Sequence, residues 1–251
     1  MDFKQGVKLF PAMNEEIVKK ANLCRAADLI VGDVSGYIDF AYYLLDNKIE
    51  SDTVFILAGL SESEKEDARR YFDCLLFELG IKTDLGNIDY LYICYLNEKI
   101  HEGKKDAHSA LAELKDFYVR YEKEIYFEFY GLYYMLDYVD MSEAYNMEHI
   151  TSKNMDEYIK RAFELFVEMY GMEVPEDFCK QAYCRLCGKR GIPLFERKKT
   201  LFGKTKHNCI CPNCKRSNLY KWSYCSANSG KELYLKEIGR EGVVCKPDAW
   251  L

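Results

Sequence analysis

Two short cysteine pairs dominate the chemistry this sequence could perform. Cys184-Arg-Leu-Cys187-Gly188 and Cys211-Pro-Asn-Cys214-Lys215 are each a CxxC, and 23 residues separate them. Two intervening residues let a tight turn aim both sulfurs of a pair at one ion, with backbone N–H groups left to hydrogen-bond the thiolates. A glycine after Cys187 suits the positive φ that such a turn wants. Cys184, Cys187, Cys211 and Cys214 are therefore the predicted metal ligands, and four thiolates in a closed tetrahedron suit Zn²⁺. A closed site offers no position to water or substrate, so the expected zinc is structural and contributes folding free energy. Disulfides or a redox pair are the competing readings, and two clustered pairs favour the metal.

The chain has eleven cysteines, and the others read differently. Cys24, Cys74 and Cys94 are scattered through helical pattern, and the apolar neighbours of Cys74 and Cys94 predict buried, inert thiols. Cys209 should lie on the strand approaching the second knuckle and point away from it. Cys179, Cys225 and Cys245 could serve a second site but have no partners at ligand spacing. His207 is a replacement ligand, ranked behind the four cysteines.

Other chemistry is sparse. Glu98-Lys-Ile-His101 is an ExxH at helical spacing, the unit that di-metal carboxylate bundles use in pairs, and no second copy occurs. It reads better as a charged helix end. No phosphate loop, nucleophile elbow or dinucleotide fingerprint is present, and four histidines leave few general bases. The expectation is a protein without catalytic residues.

The elements that must carry these residues fall into two textures. Residues 1–170 are rich in helix formers and contain one proline, Pro11. Ser35 is placed to cap a helix whose apolar positions include Ile38, Phe40, Ala41, Leu44 and Leu45. Asp52–Leu60 reads as a short helix. Ser61 with Glu64 and Ser63 with Glu66 form overlapping capping boxes for a helix carrying Ala68, Tyr71, Phe72, Leu75, Leu76 and Leu79 and ending at Gly80. Further helices are predicted over Asp89–Ile100, Asp106–Tyr121, Glu124–Tyr138 and Asn154–Tyr170. The stretch Ile125–Tyr138 is aromatic on nearly every side, which predicts a helix central to a core, the alternative being an exposed tyrosine-rich surface that would suit protein recognition.

After Gly171 prolines, glycines, basic residues and short β-favouring runs appear: Ile192–Phe195, Thr200–Phe202, Asn218–Trp222 and Leu233–Leu235. Leu194–Arg197 and Thr205–Ile210 are the expected strands between the knuckles. The fold class is mainly α: an acidic, antiparallel helical domain over 1–172, then a small, basic, β-rich zinc-ribbon domain over 173–251, with the boundary near Met172–Pro175. No run of about 18 apolar residues exists to span a membrane. The N-terminus shows no apolar signal core, so a cytoplasmic protein is expected.

Charge divides the same way. Residues 1–170 hold 19 Lys and Arg against 33 Asp and Glu, a balance of −14, and residues 171–251 hold 16 against 8, or +8. An acidic helical face of this kind steers a basic protein partner. In the basic part Arg185, Lys189, Arg190, Arg197, Lys198, Lys199, Lys204, Lys206, Lys215, Arg216 and Lys221 interleave with Phe195, Phe202, Tyr220, Trp222 and Tyr224. That is the footprint of phosphate and base contacts, and nucleic-acid binding is the alternative function.

Residues 180–225, with their paired CxxC, resemble the zinc-ribbon families, whose metal is tetrahedral and closed. Asp39–Lys48, Ile56-Leu-Ala-Gly-Leu60 and Tyr71–Ile81 resemble a group of small bacterial helical proteins of unknown function. In that group an alanine–leucine helix precedes a short leucine-alanine-glycine-leucine helix and a longer one ending in leucine-glycine-isoleucine. The resemblance covers about residues 25–140, and some of these proteins look like immunity partners of polymorphic toxins. It implies a non-enzymatic protein-binding role of immunity or antitoxin type, with no functional residues carried over. The appended ribbon departs from that pattern.

Overall fold

The computed structural model describes residues 15–137, 148–199, 205–216 and 222–239. Among them it is mostly helical, with small antiparallel sheets toward the C-terminus. The chain divides into two compact units, Met1–Lys99 and Ile100–Leu251.

The first unit contains α1 (Glu15–Val31), α2 (Ser35–Asp46), α3 (Asp52–Ala58), α4 (Lys65–Leu79) and most of α5 (Ile88–His101). Residues predicted from the periodicity of α2 and α4 fill one core: Phe40, Ala41 and Leu44 meet Ala68, Phe72, Leu75 and Leu76. Tyr37 stacks on Phe72 with centroids 3.9 Å apart, and Phe40 meets the same ring edge-on at 5.6 Å. The Tyr37 hydroxyl donates to Asp28 at 2.8 Å, so the buried phenol keeps a polar partner. Asp28, itself buried, also receives Arg69. α1, which no sequence motif announced, supplies Ile17, Ala21 and Cys24 to this core.

Helix starts differ in detail from expectation. Ser35 is inside α2 and not its cap, because the Asp33 carboxylate takes the Ser35 amide at 2.9 Å. Of the two capping boxes, the Glu64 carboxylate accepts from the Ser61 amide at 2.9 Å, while Glu66 pairs with Arg69 instead. Gly80 closes α4 at φ 67° as predicted, and Ser51 and Asp106 cap α3 and α6 by accepting from the Val54 and Ser109 amides.

The second unit holds α6 (Ala107–Tyr121), a 3-10 turn at Glu124–Tyr126, α7 (Phe127–Asp137) and α8 (Met155–Met169). Then come β1 (Ala182–Cys184), β2 (Arg190–Gly191), β3 (Leu194–Lys199), β4 (Thr205–Ile210), β5 (Trp222–Tyr224) and α9 (Asn228–Glu237). β2-β1-β5 form one antiparallel sheet and β3-β4 a hairpin pairing Leu194 with Ile210 through Lys199 with Thr205. That hairpin matches the predicted strands.

Two readings need correction. Leu233–Leu235 is not a β-favouring run: it lies in α9, where Lys231, Tyr234 and Leu235 recur at i, i+3, i+4 and are buried. The aromatic stretch is not central to a core either. It begins as the 3-10 turn, and along it Tyr126, Phe129 and Leu136 are buried while Phe127 and Tyr134 are exposed. Pro11, Tyr138, Thr200–Phe202, Asn218–Lys221 and Cys245 lie outside the described residues.

α8 and α9 pack on each other through Leu165, Met172 and Leu235, with Met169 and Val174 alongside. The segment Met172–Pro175 therefore runs against apolar neighbours from both helices.

Candidate metal centre

The two knuckles are near copies. In the first, Gly188 donates to the Cys184 carbonyl at 2.8 Å and Cys184 donates to the Lys189 carbonyl at 3.1 Å. In the second, Lys215 donates to Cys211 at 3.0 Å and Cys211 to Arg216 at 3.1 Å. Each turn closes on a left-handed residue, Gly188 at φ 70° and Lys215 at φ 58°. The second knuckle leans on β2: Asn213 Nδ2 reaches the Arg190 carbonyl at 3.4 Å, and a Cβ on Gly191 would stand 3.0 Å from Pro212 Cγ.

This geometry brings all four predicted sulfurs together within 4.8 Å of one another. Cys184 Sγ is 3.9 Å from Cys214 Sγ, and Cys187 Sγ is 3.7 Å from Cys211 Sγ. A tetrahedron with metal–sulfur bonds of about 2.3 Å has edges of about 3.8 Å, so the spacing fits a four-thiolate metal site. A disulfide needs about 2.05 Å, and the ten cysteines among the described residues are free thiols. The four cysteines could therefore hold a metal ion.

The ionisation pattern agrees with a shared site. Burial opposes loss of the Cys211 proton, but the amides of Cys214 and Asn213 and the neighbouring thiols bring it down to about 7. At Cys187 the Lys189 amide favours the thiolate, yet burial and the other three thiols raise it to about 11. One thiol ionises easily and the next resists, as expected of like charges in contact. A cation at the centre removes that conflict.

Cys184 and Cys211 are buried in a small cluster with Ala182, Cys209 and Trp222. Trp222 pairs with Cys184 across β1–β5 and is 2% exposed. Cys209 is the fifth cysteine of this cluster and stands outside the four-sulfur group, its thiol raised by burial. Cys225 is fully buried and raised by burial to about 11, whereas Cys179 is exposed. Cys94 is buried and pushed up to about 11, as predicted, but Cys74 is exposed: it falls on the outer side of α4, between the buried positions Phe72 and Leu75. His207 occupies β4 opposite Arg197.

Contacts from outside the knuckles, none of them visible as a motif, fix the module in its unit. Arg185 of the first knuckle donates to Ser223 at 3.0 Å and approaches Glu148 at 3.9 Å. Glu148 in turn accepts the amide and hydroxyl of Ser229 at 3.1 and 2.7 Å, at the start of α9. Gly230 comes so close to β5 that a Cβ there would stand 2.0 Å from the Tyr224 carbonyl oxygen.

Beside the knuckles lies an open cleft of about 760 Å³, lined by Tyr183, Lys189, Arg190, Lys236 and Glu237 among others. Glu237 is held below the usual carboxylate range by Arg190 first, then Tyr183, and Gln181 takes a further Arg190 N–H. Lys189 and Lys236 make no ion pair among the described residues, which leaves the cleft net positive. Glu98 of the ExxH receives Lys19 and Lys20, and His101 lies 3.0 Å from Glu164. Glu98 is thus engaged in ion pairs, and His101 has a carboxylate neighbour within hydrogen-bond distance.

Fold and site together define a mainly helical protein that carries a four-cysteine group of zinc-ribbon-like geometry. Compared with protein-family models, with curated proteins and with solved structures, the chain matches none. Among the described residues no helix is long and apolar enough to cross a membrane.

Proposed function

We propose that this chain is a non-enzymatic protein-binding protein, stapled by one structural Zn²⁺ on Cys184, Cys187, Cys211 and Cys214, and that its acidic helical part covers a basic partner. The observation that carries the reading is the closed set of four sulfurs at tetrahedral spacing. Soft thiolate donors in that geometry suit zinc or iron. A fully sulfur-ligated ion supplies folding free energy and has no vacancy for a reacting oxygen.

The excess of 33 acidic over 19 basic residues in 1–170 supports a partner of opposite sign. An immunity or antitoxin protein covering a basic toxin is the sharpest form of this reading. It is tested by co-purification from the native host after nuclease treatment, followed by reconstitution from pure components. One basic protein binding in defined stoichiometry supports it, and a chain that stays alone under all these conditions refutes it.

The positive cleft at Lys189, Arg190 and Lys236, with Arg197 exposed on the neighbouring hairpin, favours a second reading, nucleic-acid binding by the ribbon. Affinity for random DNA or RNA that falls steeply with salt would select it over the first.

A further inference from the structure

α6 and α7 bury one side each, Leu111 and Leu114 from the first and Phe129 and Leu136 from the second. Their other sides carry rings that touch one another. Tyr118 lies 5.4 Å from Phe127 and 4.6 Å from Tyr130, centroid to centroid. Tyr130 lies 4.8 Å from Tyr134, which meets Tyr133 at 5.9 Å. Phe127, Tyr130 and Tyr134 recur at i, i+3, i+7, so the strip follows one helical face. Phe127 is 56% and Tyr134 43% exposed, and Tyr118, Tyr130 and Tyr133 are half-buried. Single exposed apolar side chains are ordinary, but a contiguous row of rings marks an interaction site.

Two kinds of partner use such a row: bases of a single strand, or side chains of a protein. Charge decides between them. Residues 107–137 hold three cations, Lys115, Arg120 and Lys123, against six carboxylates, of which Glu113 and Glu128 are paired with Lys105 and Lys231 from outside the stretch. Glu122, Glu124 and Asp137 are exposed and make no ion pair among the described residues. A phosphate backbone would be repelled here, whereas guanidinium and ammonium groups gain from both the carboxylates and the ring faces. The chain already contains one such contact, Lys115 lying 5.0 Å above the Tyr133 ring.

We infer that the Tyr118–Phe127–Tyr130–Tyr134 strip is the docking surface for a partner protein that presents arginine or lysine beside aliphatic side chains. The inference rests on the protein-binding reading and adds to it the face and the chemistry of what that face takes. Tyrosine suits the task because a rigid ring with a polar tip gives contact area at small entropic cost.

The test selects from a library of random 12-residue displayed peptides on the immobilised full-length, zinc-loaded chain. Selected peptides are then measured by fluorescence anisotropy against wild type, a Phe127→Ala/Tyr134→Ala variant and a Glu124→Lys/Asp137→Lys variant. Both variants alter exposed side chains, so each is expected to keep the wild-type circular dichroism. The selected peptides should be enriched in Arg or Lys beside aliphatic residues, and each variant should weaken binding about tenfold or more. Peptides that bind both variants like wild type would overturn the surface while leaving the protein-binding reading standing. Selection of no peptide at all would count against both. Displacement by a 12-nucleotide single strand, or self-association abolished by the same variants, would give the strip a different occupant and overturn the inference.

Discussion

Removing the metal, or one ligand through Cys211→Ser, is expected to unfold the ribbon while the first unit keeps its helices. The magnitude follows from the ribbon's own core. Its buried cluster consists of Ala182, Cys184, Cys209, Cys211 and Trp222, with a single large side chain among them. Burial of one such ring contributes roughly 3–5 kcal/mol, judged by what truncation costs. Fixing each backbone residue costs roughly 1–2 kcal/mol, so a handful of ordered strand residues already offsets the ring. A four-thiolate zinc site supplies on the order of 10 kcal/mol, and that is the term that decides the sign. The first unit has a separate core around Tyr37, Phe40 and Phe72 and does not depend on it.

The assay uses the full chain with Trp250→Phe, which leaves Trp222 as the only tryptophan. Elemental analysis should find one zinc per chain. Chelator should then shift Trp222 emission to the red as the ring meets water, with most far-UV helical signal retained. Cys209→Ser should keep the zinc, because Cys209 stands outside the four-sulfur group. Trp222 emission and thermal unfolding that ignore both chelator and Cys211→Ser would refute the reasoning.

Three further outcomes are expected. Gly230→Ala places a Cβ 2.0 Å from a backbone oxygen that no rotamer change can move, so it should cost about 3 kcal/mol or more in urea unfolding. Lys215→Gly relieves a left-handed backbone at φ 58° and should raise stability by about 1 kcal/mol after the entropy of glycine is subtracted. Burial opposes ionisation of Asp28, but hydrogen bonds from Arg69 and Tyr37 outweigh it and hold the carboxyl below the usual aspartate range. A lowered folded pKa means a contribution present above the unfolded value of about 4 and lost as pH falls below that. Asp28→Asn should therefore cost about 1–3 kcal/mol at neutral pH, and the gap to wild type should shrink by about pH 3 in denaturant titrations.

What could be read from residues alone follows from how local each determinant is. A CxxC turn is made by four or five neighbouring residues, so its spacing carried the metal group without knowledge of the fold. The end of α4 at Gly80 was legible for the same reason, since a left-handed glycine acts on its own backbone angle, and Ser51 and Asp106 show the same locality by accepting amides three positions on. Ser35 misled because the helix starts one residue sooner than a Ser35 cap would allow, with Val34 at the cap position and the Ser35 amide donated to Asp33, two residues earlier. The tie from Arg185 through Glu148 to Ser229 joins residues far apart in the chain and leaves no motif.

The tyrosine-rich helix shows where pattern fails in principle. Periodicity separates core from surface only when side chains are unambiguously apolar or polar, and tyrosine is both. Tyr126 is 1% exposed and Tyr134 is 43% exposed, though their immediate neighbours in sequence are of the same kind. What separates them is the partner each ring finds in space: Tyr126 meets Phe117 at 5.6 Å within the packed side of the helix pair, and among the described residues Tyr134 touches the rings of Tyr130 and Tyr133. A stripe that looked like surplus core is thereby left on the surface, beside carboxylates that would disfavour nucleic acid and attract a basic protein.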